Sequence, residues 1–236
     1  MNWSNVLNLK FTVYSFGGCG SKYLVKKLCD EFHLNDYDRH HSHERAPSVN
    51  KLSEGGRAIF IYGDPVNAVM SFFARRISRT SQHGYMPTSG SGNPLWARLH
   101  CRNIGGKYEY LDPEWDFTAY LRQGRDLFEL ESFVLNWLGL QIPQDILFVR
   151  YEAMWRECPN IAKFMGLDQG FVNRFGLPKE RRSRFTELDI QTLQQANRIY
   201  EPARRLLNSL PDIFVLSNGQ RKVFLSEIAK ETQDTK

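Results

Sequence analysis

The 236-residue chain has little of what marks secreted, metal-binding and membrane proteins. Its four cysteines lie far apart, without a C-x-x-C pair, and no group of His and Cys has the spacing of zinc ligands. No stretch approaches the roughly 20 apolar residues that span a bilayer, and the first seven residues lack the charged region and apolar core of a signal peptide. These absences predict a soluble, cytoplasmic protein that requires no metal.

The chain also lacks low-complexity tracts, and its 42% hydrophobic and 24% charged residues are typical of a globular protein. We therefore expect one α/β domain over residues 1–225 and a disordered tail over residues 226–236. The net charge of +5 suits an anionic partner such as a nucleotide or a sulfated or phosphorylated substrate. Because no nucleic-acid-binding motif accompanies the basic clusters, a nucleic-acid partner is not expected.

A glycine-rich loop, FGGCGSKY at residues 16–23, follows an apolar run and precedes a helical pattern. A strand that turns through small residues into a helix directs several backbone N–H groups at one point, where the helix dipole adds positive potential. The loop therefore predicts a phosphate or sulfate site, with a glycine turn that binds nothing as the alternative. An NTP-binding P-loop ends in Gly-Lys-Ser/Thr. Here Ser21 separates Gly20 from Lys22, which argues against magnesium-dependent NTP hydrolysis.

Apolar runs alternate with helical patterns along the chain, which predicts a central parallel β-sheet flanked by helices. Ligands of such sheets bind at the carboxyl ends of the strands, so the loop at 17–22, Gly63–Asp64 and the segment from Tyr151 should meet in one crevice. The segment 78–113 lacks periodicity and is interpreted as irregular, as part of a lid or acceptor pocket. Strands are expected at 10–15, 57–62 and 145–150. Helices are expected at 21–32, after Asp64–Pro65, and at 117–140, 151–165 and 189–209. Gly166 is the expected C-cap of the helix at 151–165.

Three motifs carry a resemblance to a known family. They are GCGSK at residues 18–22, IFIYGDP at residues 59–65 with Ser71 farther along the helix, and ILFVRYEAM at residues 146–154. In this order they resemble the phosphosulfate loop, the Arg-Asn/Asp-Pro motif and the Tyr-Glu-Asp-Leu/Met motif of the sulfotransferases that use 3′-phosphoadenosine 5′-phosphosulfate (PAPS). The resemblance covers about residues 10–167.

The resemblance implies the P-loop-NTPase-like sulfotransferase architecture and sulfuryl transfer from PAPS to a hydroxyl or amine of a small molecule, carbohydrate, lipid or peptide. By resemblance, the loop amides and the Ser21 hydroxyl hold the 5′-phosphosulfate, Ser71 contacts the 3′-phosphate, Tyr151 lies near the adenine, and Lys22 neutralises charge on the leaving phosphate. The implied donor-binding residues are Gly18, Cys19, Gly20, Ser21, Lys22, Tyr23, Ser71, Tyr151, Arg181 and Arg182, and the implied catalytic residues are Lys22, His41 and His43.

The general base of this family is commonly His or Glu. His41 and His43 precede Gly63 by 22 and 20 positions, which is in range for the catalytic His of the family. The alternative is a His-rich surface loop or an adventitious metal site. Two other functions stay open for the chain: an inactive member of the fold that binds a nucleotide or a protein, and a P-loop kinase of a small substrate.

Two positions depart from the family pattern. Gly63 stands where the family has the arginine that binds the 3′-phosphate, and Gly18 stands where a lysine opens the phosphosulfate loop. A charge-assisted contact between Arg and phosphate contributes about 1.5–3 kcal/mol, or roughly tenfold to a hundredfold in affinity. We expect the cluster around Arg181 and Arg182 to compensate, with Arg75 or Arg76 as the alternative.

Overall fold

A six-stranded β-sheet with helices on its flanks organises the fold. The computed structural model describes residues 11–46, 56–78, 86–89, 94–178, 186 and 188–223. In chain order the strands are β1 (Phe11–Ser15), β2 (His41–Ser42), β3 (Arg57–Tyr62), β4 (Arg75–Ser78), β5 (Met86–Ser89), β6 (Ile146–Arg150), β7 (Ile213–Ser217) and β8 (Gln220–Val223). The order in the main sheet is β2-β1-β3-β6-β7-β8, while β4 and β5 form a separate ribbon.

Three of the four parallel strands were predicted, whereas the short strand β2 and the antiparallel edge of the sheet were not. Strands β2, β1, β3 and β6 run parallel, and β3 spans the predicted residues 57–62. However, β7 pairs antiparallel with β6, and β8 antiparallel with β7. The turn between β7 and β8 contains Asn218 and Gly219, both at positive φ. Asn-Gly between two short strands is a strong hairpin signal, so the sequence did carry the information.

The helices are shorter than their patterns predicted. The 117–140 pattern is interrupted because Gly124 and Glu129 adopt left-handed φ angles of 69° and 52°. The 151–165 pattern begins with a 3₁₀ turn at Tyr151–Ala153, and its helix ends at Gly166 as predicted. The helices are α1 (Ser21–Glu31), α2 (Pro65–Phe73), α3 (Pro94–Asn103), α4 (Phe117–Leu121), α5 (Leu130–Leu138), α6 (Cys158–Met165), α7 (Gln169–Arg174) and α8 (Ile190–Asn208). No described helix is both long and apolar enough to cross a membrane.

The segment that was expected to be irregular contains regular structure. Within 78–113 lie strand β5, which pairs antiparallel with β4, helix α3 and a 3₁₀ turn at Tyr108–Tyr110. The prediction was wrong because His and Arg in α3 alternate with apolar residues and hide its period. Residues 79–85 and 90–93 lie outside the described part of the chain.

The core holds the segment that follows β2 in place. The buried indole of Trp137 packs against Tyr14 and Phe60, with ring centroids 4.6 and 4.9 Å away, and its Nε1–H donates to the Glu44 carbonyl at 3.0 Å. The Arg45 guanidinium donates to the carbonyl of Ile104 at 2.9 Å and to that of Phe128 at 3.0 Å. These bonds anchor the short segment that carries two histidines of the candidate site.

A half-buried carboxyl group links the turn before α5 to α8. Asp126 accepts hydrogen bonds from the backbone N–H groups of Phe128 at 2.9 Å and Leu130 at 2.7 Å. Nearby, the hydroxyls of Tyr120 and Tyr200 lie 2.6 Å apart. Burial raises the pKa of Asp126 to about 6, against the lowering effect of its hydrogen bonds. The native fold therefore favours the protonated carboxyl, since its pKa in an unfolded chain is about 3.9.

Replacement of Asp126 by Asn tests this assignment. The native pKa is raised, so the stability that Asp126 contributes is complete below the unfolded pKa and is lost as pH rises to about 6. Two pKa units correspond to about 3 kcal/mol. Urea unfolding should therefore show the stability of D126N relative to wild type rising by about 2–3 kcal/mol between roughly pH 4 and pH 7. A difference that stays constant with pH would show that Asp126 titrates normally.

Candidate functional site

The glycine loop turns the chain from β1 into α1 through left-handed backbone. The φ angles of Gly17, Gly18 and Gly20 are 88°, 67° and 68°, a region that favours residues without a Cβ. Gly20 is the N-cap of α1, and no side chain caps that end of the helix. The N–H groups of the first turn therefore lie at the carboxyl end of β1, where a parallel sheet binds its ligands.

Three elements pack so closely on the loop that no side chain fits there. A Cβ at Gly17 would lie 2.3 Å from His100 Nε2, and one at Gly18 would lie 2.7 Å from backbone atoms of Ala68. A Cβ at Gly20 would lie 2.1 Å from the ring of Tyr151. The loop is thus enclosed by α3, α2 and the turn after β6.

The predicted meeting of three loops is confirmed. A Cβ at Gly18 would also lie 2.6 Å from Ser71 Oγ, so Ser71 adjoins the loop. A Cβ at Gly63 would lie 3.3 Å from the Cβ of Tyr151, which itself contacts Gly20. The residues that the motifs placed at three separate points of the chain are therefore neighbours at the carboxyl edge of the sheet.

A chain of hydrogen bonds runs from the loop to a histidine. The Gly17 N–H donates to Ser15 Oγ at 3.2 Å, and Ser15 Oγ donates to Ser21 Oγ at 2.9 Å. Ser21 Oγ lies 2.8 Å from His41 Nε2. Ser21 Oγ accepts the Ser15 proton, and when His41 is neutral with its lone pair on Nε2, Ser21 donates its own proton to that atom. His41 then accepts the last bond of the chain.

His43 lies between two other imidazoles. Its Nδ1 is 2.8 Å from the Ser15 carbonyl oxygen. A carbonyl only accepts, so Nδ1 carries the proton and the neutral ring has its lone pair on Nε2. The ring centroids of His41 and His100 lie 4.5 and 5.0 Å from that of His43.

Sequence reasoning missed His100, which supports both the loop and His43. The side chain is buried in α3, and its Nε2–H donates to the Phe16 carbonyl at 2.9 Å. It also packs on Phe72, with ring centroids 4.2 Å apart. Nothing in the sequence near His100 indicates this position, because the contact joins residues 84 positions apart. Ser15 was missed as well, although a polar residue at the end of an apolar strand was a weak signal.

The two tyrosines implied in nucleotide binding belong to one aromatic group. The rings of Tyr23 and Tyr151 each lie 5.4 Å from Trp155, measured between centroids. Phe175 adds an edge contact to Tyr23 at 5.5 Å. Aromatic faces of this kind can stack on a base, which is consistent with the place that the resemblance gives the adenine. Trp155 and Phe175 were absent from the predicted site.

The structure separates the remaining loop side chains. The Cys19 thiol is buried and donates a hydrogen bond to the Gly17 carbonyl at 2.9 Å. Its side chain therefore points away from the surface of the loop, and only its backbone can contact a ligand there. Lys22 is exposed on α1 and shares a cleft of about 410 Å³ with His41. The other residues that line this cleft are Val25, Lys26, Asn35, Asp36, Tyr37 and Asp38.

A second cleft, of about 230 Å³, lies beside Gly63 at the ends of β3 and β6. Asp64 accepts the Asn67 N–H at 2.9 Å as the N-cap of α2, and Arg204 Nε donates to the same carboxylate at 2.7 Å. Both Arg204 and Glu152 line this cleft. Arg204 lies on α8, and its sequence neighbours gave no sign that it would reach the end of β3.

Some predicted residues lie outside the described part of the chain. This holds for Arg181 and Arg182, while Arg75 and Arg76 fall in β4, where the backbone alone is described. Their compensating role for Gly63 and Gly18 stays a prediction. Within the described ranges, no three His, Cys, Asp or Glu side chains are grouped as they would be around a metal ion.

Comparison with known proteins identified no relative of this chain. The chain matches no protein-family model, no curated protein and no solved structure. The resemblance to sulfotransferases therefore depends on the three motifs themselves and on the contacts among them.

Replacement of Gly17 by Ala tests the packing of the loop, with Gly124→Ala as the matched control. Both glycines have positive φ, but a Cβ at Gly124 meets nothing within 4 Å. Left-handed strain alone should cost G124A about 1–2 kcal/mol. G17A should lose clearly more in urea unfolding, because its Cβ displaces the His100 ring. Equal losses would show that the contact with His100 does not constrain the loop.

Proposed function

We propose that the protein is a sulfotransferase that transfers the sulfuryl group of PAPS to a hydroxyl or amine acceptor. The observation that supports this most is the convergence of the other two motifs on the first, the loop between β1 and α1. Ser71 adjoins Gly18, the Tyr151 ring adjoins Gly20, and Ser21 bonds to His41. Adjacent parallel strands bring the three loops to one edge of the sheet, so it is these individual side-chain contacts with the glycine loop that support the proposal.

In the proposed complex, the phosphosulfate occupies the end of α1. The backbone N–H groups of the first turn and the Ser21 hydroxyl bind its oxygens, and the helix dipole favours its charge. The adenine lies at the aromatic group of Tyr23, Tyr151 and Trp155, whose rings are 5.4 Å apart in each neighbouring pair. The 3′-phosphate lies toward Ser71 and the cleft beside Gly63.

The proposed reaction is a single displacement at sulfur. The acceptor oxygen or nitrogen forms a bond to sulfur while the bond from sulfur to the bridging phosphate oxygen breaks, and that oxygen keeps the electron pair. Adenosine 3′,5′-bisphosphate leaves. His43 Nε2 takes the acceptor proton, since its Nδ1–H is held by the Ser15 carbonyl at 2.8 Å. Loop amides and Lys22 stabilise the charge on the leaving phosphate.

The first test is binding of adenosine 3′,5′-bisphosphate, the expected product, measured by calorimetry against ATP. We expect the bisphosphate to bind much more tightly, which distinguishes the proposal from a kinase. An absence of binding at millimolar concentration would refute the sulfotransferase assignment. Binding without transfer of labelled sulfate to any of a panel of sugars, phenols, lipids and peptides would favour an inactive nucleotide-binding protein.

The second test separates the base from the binding residues. Asn in place of His43 keeps an N–H near the position of Nδ1 for the Ser15 carbonyl but removes Nε2. We expect H43N to bind the bisphosphate with unchanged affinity and to transfer sulfate about 10²–10⁴-fold more slowly. Transfer at the wild-type rate would remove His43 from the mechanism.

The third test restores the missing arginine. Gly63 does not have a positive φ, and a Cβ there would be 3.3 Å from its nearest neighbours, so Gly63→Arg requires only a small shift. A recovered contact with the 3′-phosphate should raise affinity for adenosine 3′,5′-bisphosphate by roughly tenfold to a hundredfold. ADP, which lacks that phosphate, is the control ligand and should gain little. An equal gain for both nucleotides would place the 3′-phosphate elsewhere.

A further inference from the structure

The loop has no room for a lysine at its opening position. A Cβ at Gly18 would lie 2.7 Å from the Cα and carbonyl oxygen of Ala68, which belong to the backbone of α2. Backbone cannot yield as the tip of a flexible side chain can. A cation that balances an anion at this loop must therefore approach from another side.

His41 occupies that other side. Its Nε2 lies 2.8 Å from Ser21 Oγ, the hydroxyl at the start of α1, and its ring lines the open cleft of about 410 Å³. The cleft gives His41 access to protons and small anions from solvent. In the neutral tautomer with its lone pair on Nε2, the ring accepts the Ser21 proton and ends the chain of hydrogen bonds from Gly17 through Ser15.

We infer that His41 binds the donor's phosphosulfate as an imidazolium and supplies the charge that a lysine at position 18 would supply. The inference rests on the proposed function. Protonation reverses the last hydrogen bond, so that Nε2–H donates to Ser21 Oγ. This oxygen then accepts from Ser15 and His41, and its own proton turns to the anion. One proton thus provides both a cation and a hydroxyl donor.

Charged groups around His41 act on its protonation in both directions. Lys22 and Lys26 of α1 and a charged His43 oppose a proton on His41, whereas Asp36 and Asp38 favour it. Arg39 forms an ion pair with Asp36 at 2.7 Å, which weakens the stabilising effect of Asp36 on a charged His41. Further titratable groups near β2 include Tyr14 of β1, His40 and Tyr37 of the 3₁₀ turn, Glu44, which follows β2, and His100, which adjoins His43.

Binding and protonation are consequently linked. The ordinary pKa of a histidine is about 6.5, and an adjacent anion raises it. Above the pKa of the free site, anion binding takes up a proton, so affinity falls as pH rises toward the pKa of the complex. A single linked proton sets the limit of about tenfold in affinity per pH unit.

The experiment is calorimetric titration with adenosine 3′,5′-bisphosphate between about pH 6.5 and pH 8.5, in buffers of different ionisation enthalpy. Wild type should bind the bisphosphate at least about tenfold more weakly at pH 8.5 than at pH 6.5, and each binding event should take up close to one proton. His41→Gln keeps an N–H near Nε2 without a charge, so it should bind weakly, with little dependence on pH and no proton uptake. His41→Lys should bind tightly throughout this range.

His33→Asn is the matched control, because His33 is exposed and its φ of 54° suits Asn. H33N should behave as wild type does. Proton uptake and pH dependence that persist in H41Q would overturn the inference while leaving the proposed function intact, as would an H41K variant that keeps the wild-type pH dependence. No binding by wild type at any pH would instead refute the proposed function, and the inference with it.

Discussion

Close contact between the bare backbone of the glycine loop and three neighbouring elements is the constraint on which the site depends. His100, Ala68 and Tyr151 occupy the space that side chains at Gly17, Gly18 and Gly20 would need. The contacts fix the loop from three directions, so its N–H groups are aligned before any ligand arrives. Such preorganisation matters because donors that are already aligned need no reorganisation when charge develops.

The same packing determines where charge can reside. A loop that excludes side chains provides partial charges from its amides but has no position for a lysine. Formal charge must come from the surroundings, and the described residues offer His41 across Ser21, Lys22 on the exposed face of α1, and Arg204 in the cleft beside Gly63. Arg204 is already paired with Asp64, the N-cap of α2, so its participation would compete with the helix cap.

The sequence predicted the part of the site that is local and missed the part that packing assembles. Glycines before an amphipathic helix indicate an anion-binding turn, and the buried runs at β1, β3 and β6 place the loops at one edge of the sheet. His100 and Arg204 reach the crevice from helices whose own patterns show only an apolar face and a solvent face. Their roles arise from long-range contacts, which no short motif encodes. The β7–β8 hairpin is different, because Asn218 and Gly219 did signal it.

His41 and His43 illustrate how adjacent groups acquire different tasks. Their rings lie 4.5 Å apart, and two imidazolium ions at this distance repel each other. A proton on one ring therefore disfavours a second proton on the other. In the proposed complex, an anion beside Ser21 would favour a proton on His41, which bonds to that hydroxyl. His43 is then favoured in its neutral form, with Nδ1–H held by Ser15 and the lone pair on Nε2. In the proposed mechanism, donor binding itself would thus prepare the base.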